Sequence, residues 1–241
     1  MYKSYYFFGS PDFEFKVSNQ SIEHANGMFY PDGSIYETNS VYQFMNKIIE
    51  DNYHLKRNSV NVIDIGAQVG LYSFFAKFLD YTNFYSFEPF PKSYQLLNEN
   101  LQLNNIKNVK TFNIGLSNEI GTTYLNSCIN HNGFHTLGDN LIRFKQDECK
   151  PVEIQTNTID NLFYNQNIKV DYIKIDTEGW EYNILQGAVN TLKYHKPVLQ
   201  LEWNRDNMNQ CNVDETKLYS FLQSYGYNVI SIAGEEVLFS Q

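Results

Sequence analysis

From residue 59 onward, short apolar strand-like runs alternate with helix-like ones, and this alternation constrains the fold more than any other feature. Residues 60–66 (VNVIDIG) read as a strand and 71–79 (LYSFFAKFL) as a helix. The pattern continues with strand 83–88, helix 91–104 and strand 109–115. Residues 151–163 hold a strand and a short helical turn, 170–176 a strand, 179–195 a helix, 197–203 a strand and 213–226 a helix. Residues 227–233 and 235–240 close as an antiparallel pair around Gly234. Such alternation predicts an α/β, Rossmann-like fold with a mainly parallel sheet and helices on both faces. Ligands of such sheets bind at the carboxyl ends of the strands, near the topological switch point.

Upstream, residues 1–37 read as short strands and irregular chain, with Asn26-Gly27 and Asp32-Gly33 as turn dipeptides. Residues 39–56 place Val41, Phe44, Met45, Ile48 and Ile49 on one helical face, with Asn39 or Ser40 as the N-cap. The expected organisation is an N-terminal extension, 1–58, packing on a core domain, 59–241. Residues 116–150 show weak periodicity.

Composition excludes several classes. The 241 residues are 42% hydrophobic, enough for a sizeable core, yet no apolar run is long enough to span a membrane. No signal peptide is read at the N-terminus. The net charge is −9 with no basic stripe, which argues against a nucleic-acid partner. The cysteines, Cys128, Cys149 and Cys211, form no Cys-x-x-Cys pair, suggesting neither zinc nor a disulfide framework, and a cytoplasmic, reducing location fits. A homo-oligomer is left open.

The most informative segment is Asp64-Ile65-Gly66-Ala67-Gln68-Val69-Gly70, a turn between a buried strand and a helix. Gly66 can take backbone angles closed to other residues. With Ala67 it lets the chain pass close to a ligand, and Asp64 is expected to point into the cleft. The spacing departs from the G-x-G-x-x-G that holds a pyrophosphate. An acid before the glycines suits the ammonium group of S-adenosylmethionine (SAM) better than a dinucleotide phosphate. Glu88 lies 22 positions after Gly66, where a carboxylate grips a ribose diol.

VIDIGAQVGLYSFFAK, FYSFEPFPKSYQLLNENLQLNN, and above all DYIKIDTEGWEYNILQGA followed by PVLQLEW resemble the FkbM-type SAM-dependent methyltransferases. The resemblance covers roughly residues 60–203, and Gln68 departs from it, standing where the family usually has Asn. It implies a seven-strand sheet, SAM as donor and methylation of a hydroxyl oxygen, often on a sugar or polyketide. It also implies that Asp64, Gly66, Ala67, Gln68, Gly70, Tyr72 and Ser73 line the methionine part of SAM. Glu88, Pro89 and Phe90 would hold ribose and adenine, with Asn113 and Gly115 near the adenine edge. Asp176, Glu178 and Gly179 would lie beside the reacting methyl.

A sugar hydroxyl is a poor nucleophile, so a base within hydrogen-bond reach is expected. Asp176 is the first choice; Glu202 and His135 are the others. Glu181 is expected either at the site or as a first-turn helix carboxylate. Trp180 and Trp203 are placed beside the cleft. A less favoured arrangement has Mg²⁺ bound by Asp176, Glu202 and Asn204, serving a non-sugar small molecule. A non-catalytic SAM-binding module is the remaining alternative. An NAD-dependent sugar enzyme lacks its glycine fingerprint here. A nucleic-acid methyltransferase lacks its Asn/Asp-Pro-Pro-Tyr/Phe tetrad, where this chain has Asp176-Thr177-Glu178-Gly179.

Overall fold

The structure, a computed structural model, describes residues 1–25, 27–36, 38–128, 135–137 and 149–241. Asn26 of the expected Asn26-Gly27 turn, and much of the weakly periodic stretch, lie outside these residues. Strands β1 (Tyr2–Tyr6) and β2 (Glu14–Ser18) pair antiparallel. Helix α1 (Asn19–His24), not foreseen, starts where Ser18 Oγ accepts a hydrogen bond from the Ser21 N–H. An antiparallel bridge joins Phe29 to Ile35 around Asp32-Gly33, as that dipeptide predicts. Helix α2 (Thr38–Leu55) buries Val41, Phe44, Met45 and Ile48, whereas Ile49 stays exposed.

The core continues through β3 (Val60–Ile65), β4 (Thr82–Phe87), α3 (Pro91–Leu103), β5 (Val109–Phe112) and β6 (Gly115–Leu116). Next come β7 (Gly121–Cys128), β8 (His135–Thr136), β9 (Cys149–Asn157), α4 (Ile159–Leu162) and β10 (Tyr172–Ile175). The chain ends with α5 (Glu181–Gln186), β11 (Val198–Glu202), α6 (Arg205–Gln210), α7 (Glu215–Ser224), β12 (Asn228–Ala233) and β13 (Glu236–Ser240).

Seven strands form one sheet in the order β12-β13-β11-β10-β3-β4-β5. Strands β3, β4, β5, β10 and β11 run parallel, and β13 is antiparallel to both its neighbours. The order reverses between β3 and β10, the switch point where such sheets bind ligands. Side chains alternate between two hydrophobic layers. Val60, Val62 and Phe84 pack with α2 and the N-terminal strands, whereas Ile63, Ile65, Ile173 and Leu199 pack with α5 and α7. Each buried side chain of this size contributes about 1.5–3 kcal/mol relative to exposure.

Three expected elements come out differently. The helix expected over 71–79 is a short 3-10 segment, Ser73–Lys77. Its aromatics pack on the N-terminal extension: Phe75 lies 4.1 Å from Phe7 and Phe74 4.6 Å from Phe15, centroid to centroid. The helix expected over 179–195 divides at Gly187, where an added Cβ would collide with the Ser117 carbonyl. Asp160 then re-caps the chain, accepting from the N–H groups of Asn190 and Thr191 at 2.8 Å each, ahead of a π-helical turn, Thr191–His195. The weakly periodic stretch contributes to a second sheet, β6-β9-β7-β8, whose buried apolar side chains, such as Leu125 and Ile154, are too sparse to mark a period of two.

The cysteine reading also needs correction. Cys149 is disulfide-bonded, and its partner across the β7–β9 ladder is the backbone of Cys128. Strand pairing, not sequence spacing, brings those positions together, and the cysteines no longer argue for a reducing compartment. Among the described residues, no helix is long and apolar enough to cross a membrane.

Candidate active site

The carboxyl ends of β3, β4, β10 and β11 open onto a cavity of about 480 Å³. The turn after β3 forms one wall. Gly66 has φ 72°, and a Cβ there would collide with the Asp176 carbonyl oxygen, so only glycine lets the ends of β3 and β10 meet. The N–H groups of Gly66 and Ala67 both donate to the Phe87 carbonyl, at 3.1 and 3.0 Å. Gln68 follows at φ 48°, a region costly for a residue with a Cβ. Gln68 lines the cavity, and its Oε1 is buried with no hydrogen-bond partner among the described residues.

Glu88 ties this turn to the end of β4. Its Oε2 accepts from the Gln68 N–H at 2.9 Å and its Oε1 from the Phe90 N–H at 2.8 Å. Burial pushes its carboxyl up to about 7, against those two hydrogen bonds. Asn113 clamps the same segment from outside the cavity, donating to the carbonyls of Glu88 and Pro89.

Asp64 is placed differently from expectation. It is 1% exposed and lies behind the cavity wall, outside the lining. Its Oδ2 accepts from Ser73 Oγ at 2.8 Å, and its Oδ1 lies 3.7 Å from Lys174 Nζ. Burial holds its carboxyl above the usual range, opposed first by Lys174. The register explains the placement: Gln200, Lys174, Asp64 and Ser86 are consecutive partners across the sheet, a polar row beneath the cavity floor. Lys174 Nζ also donates to the Gly66 carbonyl at 3.0 Å and lies 3.4 Å from Asp176 Oδ2. Lys174 lies inside the DYIKIDTEGW segment, which gave it no role. Its signal was a charge inside an otherwise apolar buried strand, where a charge has to be paired.

The Asp176-Thr177-Glu178-Gly179 turn, after the neighbouring strand β10, lines the cavity beside the glycine turn through Asp176, Thr177 and Glu178. Glu181, 1% exposed, folds back under it, accepting through Oε1 from the Thr177 N–H and Oγ1 at 3.0 Å each, so its part is structural. Burial raises its carboxyl to about 7. Gly179 packs against the Asn207 carbonyl, where a Cβ would collide. Asn207, also unforeseen, donates through Nδ2 to Glu178 Oε2 at 2.6 Å and to Glu202 Oε1 at 2.9 Å. Asn204 uses its amide oxygen to cap α6, accepting from the N–H groups of Asp206 and Asn207. Burial and the nearby carboxylates of Glu178 and Asp176 push Glu202 well above the ordinary carboxylate range.

Of the expected residues, Gly66, Ala67, Gln68, Tyr72, Glu88, Pro89, Gly115, Asp176, Glu178, Glu202, Asn204 and His135 border the cavity. Asp64, Gly70, Ser73, Phe90, Asn113 and Gly179 stand behind its wall. The His135 ring stacks on Phe90 with centroids 4.0 Å apart, and burial lowers it to about 4, so it is neutral near pH 7. Trp180 borders the cavity, whereas Trp203 packs away from it on Phe239. The N-terminal residues Met28, Tyr36, Asn39 and Ser40 close one side. Among the described lining residues, Glu88, Asp176, Glu178, Glu202, Glu235 and Glu236 are acidic and Lys174 alone is a lysine or arginine.

A switch-point cavity with acidic rims and no pyrophosphate loop suits a ligand that carries a ribose and a cationic sulfur but no phosphate. The fold is the Rossmann-like fold of methyltransferases. The model of the family described as "Methyltransferase FkbM domain" matches residues 64–229, and the chain belongs to that family. Methyltransferase sdnD from Sordaria araneosa is 28% identical over 154 residues, covering 53% of this chain and 60% of that protein. The crystal structure of methyltransferase FkbM from Methylobacillus flagellatus superposes with a TM-score of 0.50 at 16% identity, covering 92% of this chain and 58% of the other. This chain therefore spans less than two thirds of either relative.

Proposed function

We propose that this enzyme transfers a methyl group from SAM to a hydroxyl oxygen of a small molecule, with a sugar or glycan as the favoured class. The observation that carries the reading is that Glu88 and Asp176, following the strands on either side of β3, line one cavity. Glu88 retains lone pairs for two ribose hydroxyls beyond its backbone hydrogen bonds. Gln68 Oε1, buried and unpartnered among the described residues, suits the ammonium group of the methionine tail. Gly66, Ala67 and Tyr72 would flank that tail, while Asp64, Ser73 and Gly70 support them from behind.

SAM, when bound, supplies an electrophilic methyl carbon on a sulfonium. The remaining work is alignment of the acceptor oxygen about 3 Å from that carbon. The acceptor oxygen bonds to the methyl carbon, the carbon–sulfur bond breaks to leave S-adenosylhomocysteine (SAH), and the hydroxyl proton passes to Asp176. Lys174 holds Asp176 in place from below. The carbohydrate preference rests on the family resemblance and on Trp180, whose indole offers a stacking wall. The net charge of −9 disfavours a nucleic-acid acceptor.

The test has two parts: calorimetric binding of SAH, then transfer of labelled methyl from SAM to a panel of sugars, nucleotide sugars and alcohols. Absence of SAH binding would defeat the reading. Tight binding without transfer across the panel would favour a non-catalytic SAM-binding module.

A further inference from the structure

Glu202 is 8% exposed, and its Oε2 has no hydrogen-bond partner among the described residues. A bare carboxylate oxygen at such depth is costly unless a proton, donor or cation meets it. Its surroundings sharpen the cost, because one carboxylate oxygen each from Asp176, Glu178 and Glu202 lie within 4.8 Å of one another. Lys174 answers part of this charge, from the floor, through Asp176 Oδ2.

We infer that Asp176, Glu178 and Glu202 together bind one hard divalent cation, of the magnesium or manganese kind. The site goes beyond the methyl-transfer reading, since it is built from these side chains whatever the acceptor. Two oxygens on one ion can lie at most twice the bond length apart, about 4.2 Å for magnesium and about 5 Å for calcium, so a trio within 4.8 Å fits calcium as it stands and a smaller ion after a slight inward shift of these side chains. An all-carboxylate set selects magnesium, manganese or calcium over softer metals. Asn207 orients two of the three ligands with one amide group, the part an outer-shell partner plays at a metal. Glu178 replaces Asn204 in the set first expected, because the Asn204 amide oxygen is engaged as the α6 cap. Three carboxylates leave coordination positions for water and for an acceptor hydroxyl, whose proton the ion would make more acidic beside Asp176.

The test needs no acceptor. Mn²⁺ is titrated into the EDTA-treated full chain, with free Mn²⁺ read by electron paramagnetic resonance and the heat by calorimetry. One ion per chain is expected, displaced by excess Mg²⁺. Glu202→Gln and Glu178→Gln each weaken Mn²⁺ binding by about tenfold or more, and Asn207→Ala by about tenfold. Glu119→Gln, at an exposed position, leaves it unchanged. Retained SAH binding in the two glutamine variants shows that their fold persists, and either variant suffices if the other does not fold. No saturable binding at millimolar Mn²⁺, or affinity equal to the unaltered chain in these variants, overturns the site. Mn²⁺ binding without SAH binding would instead count against the methyl-transfer reading and leave the cation site standing.

Discussion

Lys174 and Asp64 are direct partners across the parallel β10–β3 ladder, and the Lys174 ammonium lies 3.7 Å from the Asp64 carboxylate with both side chains at most 3% exposed. Lys174 also donates to the Gly66 carbonyl and lies 3.4 Å from Asp176 Oδ2, so one buried cation braces both the glycine turn and Asp176.

Lys174→Met therefore leaves a buried carboxylate without its cation and should destabilise the fold by about 3–5 kcal/mol. Adding Asp64→Asn should recover part of the loss. Chemical denaturation of both variants measures this, and a single-variant loss under about 1 kcal/mol would contradict the role given to Lys174.

Glu88 carries a pH prediction. Its carboxyl is raised to about 7 in the fold, so burial favours the protonated form. This group's contribution to stability is full below its unfolded value and is lost as pH rises through about 7. SAH affinity should move the other way, since the ionised carboxylate is the stronger acceptor for ribose hydroxyls. Affinity should fall several-fold from one unit above that value to one unit below, and Glu88→Gln should flatten the dependence. Calorimetry across pH reads both.

Asn207→Ala removes the donor shared by Glu178 and Glu202 and should cost about 1–3 kcal/mol. Asn207→Asp should cost more, because it adds a charge to an acidic cluster. An aspartate variant as stable as the original in thermal melts would refute the clamp.

Two substitutions in the glycine turn should act with opposite sign. Gly66→Ala forces a Cβ onto the Asp176 carbonyl and should abolish SAH binding. Gln68→Gly relieves a left-handed position and should stabilise the fold by about 1 kcal/mol, while weakening SAH binding through loss of Oε1. Melting temperatures and SAH titrations of the pair check both signs.

Once an acceptor is known, Asp176→Ala should keep SAH affinity and lower turnover by about 10² or more. Near-normal turnover would remove Asp176 from the mechanism.

Much of the molecule is legible along the chain because its signals are local. Apolar runs ending in Gly66, Glu88 and Asp176 mark strands whose carboxyl ends must meet at a switch point, so the α/β class and two acidic walls of the cavity follow from the sequence itself. What only the tertiary structure decided depends on register and on contacts between distant segments. Asp64 reads like its neighbours as a strand-end acid, yet the ladder sets it beside Lys174 and Ser86, below the cavity rather than in it. Asn207 lies on a short helix with no motif, and only the packing of Gly179 against its carbonyl brings its amide between Glu178 and Glu202. Periodicity encodes which face of an element is apolar; it carries no information about which residue of another element arrives opposite.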